Sequence, residues 1–174
     1  MRKALLLLLI TIPVLKIDAQ KTPCTTDPVY RQFDFWIGEW DVYTKTGKKA
    51  GDSKIDLILD SCIILENWKS AGQFNGLYYS GKSFNTYNSV TKQWQQTWVD
   101  NAGGTTEFLE GHYETGKMIF KTKPFPVSND TMAVRRLTFF NLGVDKVRQY
   151  SEISKDNEKT WAPEYDLEYR RKKM

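Results

Sequence analysis

The feature that most constrains the fold of this chain is the regular alternation of β-forming stretches with turn residues. From Phe33 onward, stretches rich in β-branched and aromatic residues are separated at short intervals by turn-forming residues, a pattern typical of all-β sandwiches and barrels. Turns are predicted at 46–47, 60–61, 73–76, 88–91, 101–104, 115–116, 124–130, 141–143 and 156–158. These turns divide the chain into about ten strands.

The predicted strands also alternate as half-buried strands do, with Ile55, Leu57 and Leu59 on one face. No stretch shows a sustained helical period. Without helices to cover its faces, a sheet of this size buries its core by closing, and short connections favour an antiparallel meander. We therefore predict an all-β fold: a single antiparallel up-and-down β-barrel of about ten strands. A short helical turn is predicted over Pro28–Gln32, capped by Asp27.

The N-terminal residues have the pattern of a secretory signal peptide. Arg2 and Lys3 precede the apolar run 4–15, and Ala19 supplies a small residue for cleavage. The apolar run is shorter than the roughly 20 residues that a membrane-spanning helix needs. We expect cleavage after Ala19, which makes residues 1–19 the signal peptide and leaves no membrane span in the mature chain.

The mature chain is predicted to contain an irregular segment, 20–32, followed by one barrel domain, 33–174. Its expected location is the periplasm or the extracellular space, where conditions allow disulfides. The two cysteines, Cys24 and Cys62, are therefore expected to pair. Redox-active or metal-binding thiols favour a C-x-x-C pair or neighbouring histidines, and the sequence has neither.

The charge of the chain argues against nucleic-acid binding. The formal net charge is +4, and loss of residues 1–19 removes three cations and one anion, which leaves +2. The basic residues are dispersed apart from the C-terminal run 170–173. A nucleic-acid site would need a clustered basic face with stacking aromatic residues.

A short motif on the first predicted strand carries a family resemblance. The stretch FDFWIGEWDV at 33–42 contains Gly38-x-Trp40, which resembles the signature of the calycin superfamily, including lipocalins, fatty-acid-binding proteins and nitrobindin-like barrels. The spacing of Cys62, Glu66 and Trp68 adds to this motif, as do GKSFNTYN, WQQTWVDN, Gln-x-Ser and Lys-Thr-Trp further along the chain. Together they resemble a family of exported, mainly bacterial, lipocalin-like domains. The resemblance implies a fold and no activity.

The same resemblance implies structural roles for Gly38, Trp40 and an arginine of the last strand. In lipocalins the Gly-x-Trp tryptophan closes one end of the barrel, and an arginine from the final strand lies over its indole. Arg170 and Arg171 are the candidates. Strand alternation places Arg171 on the same face as Tyr169, so Arg171 is favoured.

Glu66 is the most informative polar residue, because its neighbours in CIILENW are mainly apolar. If Glu66 points inward, burial raises the pKa of its carboxyl group unless a cation pairs with it. Arg136, on the predicted strand Thr131–Phe140, is the candidate partner. Two interpretations stay open, namely a structural ion pair inside the barrel and a polar anchor for the headgroup of a ligand.

Two further predicted strands mix aromatic side chains with hydrogen-bonding groups on one face, as small-molecule pockets do. The first carries Trp94, Gln96, Trp98 and Asp100, and the second carries Ser83, Asn85 and Tyr87. The same pattern also fits a barrel filled by its own side chains. The candidate ligand-binding residues are Glu66, Trp68, Tyr87, Gln96, Trp98 and Arg136.

These residues favour a module that binds a small apolar or amphipathic molecule, without a metal or cofactor. An enzyme is the first alternative. It would be either a haem-dependent scavenger using His112, the single histidine, which the nitrobindin-like resemblance suggests, or a hydrolase or isomerase using Glu66. A structural or interaction protein with a filled barrel is the second alternative. No Gly-x-Ser-x-Gly elbow supports a serine hydrolase, and one histidine gives no convincing zinc site.

Overall fold

A computed structural model describes residues 22–173, so the predicted signal peptide at 1–19 lies outside the described residues. The described chain contains three short helical segments, Pro23–Thr26, Pro28–Arg31 and Asp34–Trp36, followed by eleven strands. The strands are β1 (Gly38–Thr44), β2 (Lys49–Ile58), β3 (Ile63–Phe74), β4 (Leu77–Asn88), β5 (Gln93–Asp100), β6 (Thr105–Glu114), β7 (Lys117–Thr122), β8 (Phe125–Ser128), β9 (Thr131–Asn141), β10 (Lys146–Ser154) and β11 (Ala162–Arg171). Between residues 22 and 173, no helix has the length and apolar character needed to cross a membrane.

Ten of the strands form a closed antiparallel barrel. Strands β1 to β7 pair in chain order, β7 then pairs with β9, and β9, β10 and β11 continue the sheet. Pairing of β11 with β1, with Trp40 opposite Arg171, closes the barrel. The prediction of an all-β antiparallel barrel of about ten strands is confirmed.

Strand β8 differs from the sequence prediction, which made 124–130 a long connection. The segment instead forms an edge strand that pairs with the first residues of β9, with Phe125 opposite Ala133. Pro126 is tolerated in this strand because an edge strand needs no N–H on its free side. The β8–β9 hairpin therefore extends the barrel wall.

The predicted helical turn over Pro28–Gln32 is confirmed, and a helix also precedes it, where irregular chain was expected. The N-terminal segment contains the α-helix Pro23–Thr26 and the 3-10 helix Pro28–Arg31. The Asp27 carboxylate accepts a hydrogen bond from the Val29 N–H at 3.0 Å, so the predicted cap is present. The predicted disulfide between Cys24 and Cys62 is confirmed, and it ties this segment to the turn between β2 and β3.

One end of the barrel, here called the closed end, is filled by Phe33, Trp36 and Trp40, which are fully buried. Phe33 and Trp36 stack with their ring centroids 5.0 Å apart, and the Trp40 indole N–H donates to the Trp36 carbonyl at 2.9 Å. The first strand therefore begins at Gly38, because the aromatic residues before it form a 3-10 turn that folds into the barrel end.

Arg171 covers the closed end from outside. Its guanidinium carbon lies 4.3 Å from the centroid of the Trp40 ring, and its Nη1 and Nε donate to the carbonyls of Ile37 and Val144. The same guanidinium lies against Gly38, whose φ of +135° is rare for other residues. The Gly-x-Trp motif thus supplies the indole that Arg171 covers. It also supplies a glycine whose missing side chain leaves room for the guanidinium.

Candidate functional site

The opposite end of the barrel, here called the open end, leads into a cavity of about 540 Å³. Its walls include residues at the rim and in the interior, since Phe74 is 72% exposed whereas Leu137 is buried. Most of the wall is apolar and is formed by Trp68, Phe74, Trp98, Phe108, Leu137 and Leu167. The volume lies within the range of pockets that hold small molecules, roughly 300–1,000 Å³.

Strand alternation determines which side chains form the cavity wall. On β5, Trp94, Gln96 and Trp98 point inward, as the sequence pattern predicted for one shared face. The Trp98 indole lies against Gly81 of β4, where a Cβ atom would collide with the ring. Glycine at this position therefore leaves the space that the indole occupies.

Glu66 is buried in the cavity wall, with 2% of its surface exposed. Its Oε1 accepts hydrogen bonds from the hydroxyls of Ser53, at 2.8 Å, and Tyr169, at 3.2 Å, and the single Tyr169 proton is shared with the Gln149 Oε1, at 2.8 Å. Its Oε2 accepts one hydrogen bond from the Ser83 hydroxyl at 3.0 Å. All three donors are neutral, and Glu66 forms no ion pair with any residue between 22 and 173.

The environment of Glu66 shifts its ionisation towards neutral pH. Burial raises the pKa of the carboxyl group to about 7, and the hydrogen bonds from Ser53, Ser83 and Tyr169 oppose this rise only in part. Both the acid and the carboxylate are therefore accessible near physiological pH. A group with these properties can act as a polar anchor or exchange a proton.

Amide side chains on β4 and β5 orient one of the donors to Glu66, the Ser83 hydroxyl. The Asn85 Nδ2 donates to the Ser83 hydroxyl at 3.0 Å and to the Ile64 carbonyl at 2.9 Å. The Gln96 Nε2 in turn donates to the Asn85 Oδ1 at 2.6 Å. Because Ser83 accepts from Asn85, its own proton is directed to Glu66.

A second polar cluster surrounds Asp100, at the end of β5. Its Oδ2 accepts from the Tyr79 hydroxyl at 2.9 Å and the Trp98 indole at 3.2 Å, and its Oδ1 accepts from the N–H groups of Ala102 and Gly104. Partial burial would raise the pKa of Asp100, but the hydrogen bonds from Gly104, Tyr79, Ala102 and Trp98 lower it below its usual range. Asp100 therefore stays ionised.

An ion pair lies on the β9–β11 side of the cavity. The Arg135 guanidinium binds both carboxylate oxygens of Glu164, at 2.6 and 2.7 Å, and the Ser151 hydroxyl donates to the same carboxylate at 2.8 Å. Arg135 also lies over the Phe125 ring. Two-point pairing of this kind fixes the guanidinium in one orientation.

Four of the six residues proposed as ligand-binding from the sequence line the cavity, namely Glu66, Trp68, Gln96 and Trp98. Tyr87 also points inward but lies at the closed end. Its ring packs against Tyr30, with centroids 5.4 Å apart, and against Trp94, with centroids 6.1 Å apart. Tyr87 is therefore part of the core of the closed end.

Arg136 does not pair with Glu66, which corrects the expectation from the sequence. It lies on the outer face of β9, where its guanidinium pairs with Glu152 at 2.9 Å and stacks over Trp161 at 4.1 Å. The inward arginine is its neighbour Arg135. Both faces of β9 carry apolar residues, so the alternation pattern alone did not determine which one faces the core.

Several cavity residues were missed from the sequence, among them Tyr79, Arg135, Gln149 and Glu164. On β11, the alternation with charged residues indicates one shared face for Tyr165, Leu167 and Tyr169, but it places Glu164 on the other face. Glu164 reaches the cavity because the pairing of β10 with β11 is irregular at this residue. The others lie on strands whose two faces are similar in polarity. Their roles depend on contacts between strands, which sequence spacing does not give.

His112 lies on the outer face of β6, where its Nε2 is 3.3 Å from a carboxylate oxygen of Glu114. It does not line the cavity. Haem held in the cavity through this histidine is therefore incompatible with the geometry. Within residues 22–173, no three His, Cys, Asp or Glu side chains are grouped closely enough to hold a metal ion.

A scan of the chain against protein-family models gives no match, and neither does a search of curated proteins. The chemistry of the cavity is therefore inferred from its own residues.

Proposed function

We propose that this chain is an exported, calycin-like barrel that binds a small apolar or amphipathic molecule in its interior. The observation that carries the proposal is the cavity of about 540 Å³, whose walls are mainly apolar and which contains a buried, hydrogen-bonded carboxyl group at Glu66. Apolar walls with a few convergent polar groups are characteristic of small-molecule sites. The disulfide between Cys24 and Cys62 fits an oxidising compartment outside the cytoplasm.

Kinship with the calycin superfamily is part of this proposal. It is supported by the closed meander barrel and by Arg171 lying over Trp40 beside Gly38. The closed end is structural in this account. The ligand would enter at the open end and lie between Trp98 and Glu66.

The fluorescent probe N-phenyl-1-naphthylamine tests whether the cavity binds apolar molecules. The wild-type chain is expected to bind the probe saturably, with one site per chain. Thr106→Trp places an indole on the cavity wall and is expected to weaken binding by at least about tenfold, since it fills the space the probe needs.

Glu107→Trp is the matched control, because it adds the same indole to the outer face of the same strand. Circular dichroism and thermal melting check that both variants are folded. Equal probe affinity in the two variants would place the probe outside the barrel and contradict the proposal.

A second candidate function is favoured by the position of Glu66, a buried carboxyl group that lines the cavity and whose pKa burial raises to about 7. A carboxyl group that gains and loses a proton near neutral pH suits general acid–base chemistry in a hydrolase or isomerase. In that case Glu66→Gln would abolish turnover while probe binding continued. If the chain only binds a ligand, the wild-type protein would bind the probe and would catalyse no reaction.

A further inference from the structure

The cavity wall contains more acidic than basic side chains. Among the described residues that line it, between 22 and 173, three are carboxylic acids and one is a cation, Arg135. Arg135 is already paired with Glu164 through two hydrogen bonds. Glu66 and Asp100 are therefore left without a cation, and the interior favours positive charge when both are ionised.

The hydrogen bonds of Glu66 leave room for another donor. Each carboxylate oxygen accepts about two hydrogen bonds. Oε1 accepts from Ser53 and shares the Tyr169 proton with Gln149, whereas Oε2 accepts only from Ser83. An ionised carboxylate in an apolar wall is costly unless a cation neutralises it. A ligand that brings a cation to Oε2 would remove that cost.

Asp100 adds a negative charge nearer the open end. Its oxygens take four hydrogen bonds, from Tyr79, Trp98, Ala102 and Gly104, which hold it in place as a carboxylate. A cation entering the barrel would pass this charge before it reaches Glu66. Anions would be repelled along the same route.

The aromatic side chains of the cavity wall can also bind a ligand that combines a cation with an apolar chain or ring. Trp68, Trp98 and Tyr169 line the cavity together with Leu137 and Leu167. The negative faces of indole and phenol rings attract ammonium groups within about 6 Å. The aliphatic residues can cover the apolar part of the same molecule.

We propose that the ligand of this barrel is a cationic amphiphile, an amine with an apolar chain or ring whose ammonium group binds the Glu66 carboxylate. The inference rests on the proposed function and adds the chemical class of the ligand. It implies that fatty acids and other anionic amphiphiles bind less well than amines of the same size.

The affinity for amines is expected to increase with pH. The other titratable groups that face the cavity are Tyr79, Asp100, Arg135, Glu164, Tyr165 and Tyr169. The pKa values of the three tyrosines are raised, chiefly by burial, and Arg135 stays protonated. Asp100 and Glu164 keep lowered pKa values although burial opposes this. Glu66 is therefore the group in the cavity whose charge changes near neutral pH, and an amine binds its ionised form.

Octylamine, 1-octanol and octanoate test this inference, because they share one apolar chain and differ in charge. Each is used to displace N-phenyl-1-naphthylamine from the wild-type protein, from Glu66→Gln and from Glu107→Gln. The control Glu107→Gln removes the same charge from the outer wall. At about pH 8, octylamine is expected to displace the probe at a concentration at least about tenfold lower than 1-octanol, with octanoate weakest.

Glu66→Gln is expected to remove most of the advantage of octylamine, whereas Glu107→Gln keeps it. Lowering the pH to about 5.5 protonates Glu66, so the wild-type protein is expected to lose part of its preference for octylamine over 1-octanol. In Glu66→Gln, the relative affinity for the two compounds is expected to stay the same at both pH values. Probe binding with equal displacement by the three compounds, or with octanoate strongest, would overturn the amine inference and leave the proposed function standing. Failure of the wild-type protein to bind the probe would overturn the proposed function itself.

Discussion

Between about pH 5 and about pH 8, the free energy of unfolding of the wild-type protein should fall by about 2.5 kcal/mol relative to Glu66→Gln. The reason is the burial of the Glu66 carboxyl group, which raises its pKa from 4.5 to about 7 in the folded chain. The folded state holds this proton more tightly than the unfolded state does. Glutamine has the shape of the protonated acid and cannot ionise.

The sign of the effect follows from the two pKa values of Glu66. Below pH 4.5 the carboxyl group is protonated in both states, and its full contribution to stability is present. As the pH rises from 4.5 through about 7, the unfolded chain releases the proton first, so the folded state loses relative stability. Above that range the loss is complete.

Urea unfolding at a series of pH values measures the effect, and Glu107→Gln is the control. Glu107 is exposed on the outer wall, so its variant should follow the wild-type pH profile. Parallel profiles for the wild-type protein and Glu66→Gln would contradict a buried carboxyl group with a raised pKa.

Trp40→Ala should lower the free energy of unfolding by about 3–5 kcal/mol, since it removes a fully buried indole and leaves a cavity. Its loss also leaves the Trp36 carbonyl without the indole N–H and the Arg171 guanidinium without the ring beneath it. Trp40 lies at the closed end, away from the cavity, so the folded variant should still bind the probe at the open end.

Trp161→Ala is the matched control for the closed end. Trp161 also lies under an arginine, Arg136, but on the outer face of the barrel. Its loss should cost about 1 kcal/mol or less, because a half-buried stack on the outer face contributes little and its removal leaves no internal cavity. Midpoints of urea unfolding compare the two variants. Similar losses in Trp40→Ala and Trp161→Ala would contradict the role of Trp40 as the buried element of the closed end.

The sequence was sufficient to predict the barrel because its turns and its strand alternation are both local signals. It also predicted that Trp94, Gln96 and Trp98 share one face of β5, and the structure shows that this face points inward. The prediction of the inward arginine on β9 was wrong, because the two faces of this strand are equally apolar. Val134 and Phe140 lie on one face, and Leu137 and Phe139 lie on the other. A shift of one residue exchanges the two faces of a strand, and so Arg136 was proposed where Arg135 lies.

The polar network around Glu66 could not be read from the sequence for a different reason. Its donors Ser53 and Ser83 lie 13 and 17 residues away, and Tyr169 lies 103 residues away. These groups meet only because β2, β4 and β11 pair in a defined register within the closed barrel. Glu66 itself was identifiable because a carboxylate among apolar strand residues needs a partner.

The location of a bound probe tests the central claim, that the interior of the barrel is the binding site. The measurement is a crystal structure of the protein in complex with N-phenyl-1-naphthylamine. We expect electron density for the probe between Trp98 and Glu66, within the cavity of about 540 Å³. Density for the probe only on the outer wall, with side chains filling the interior, would contradict it.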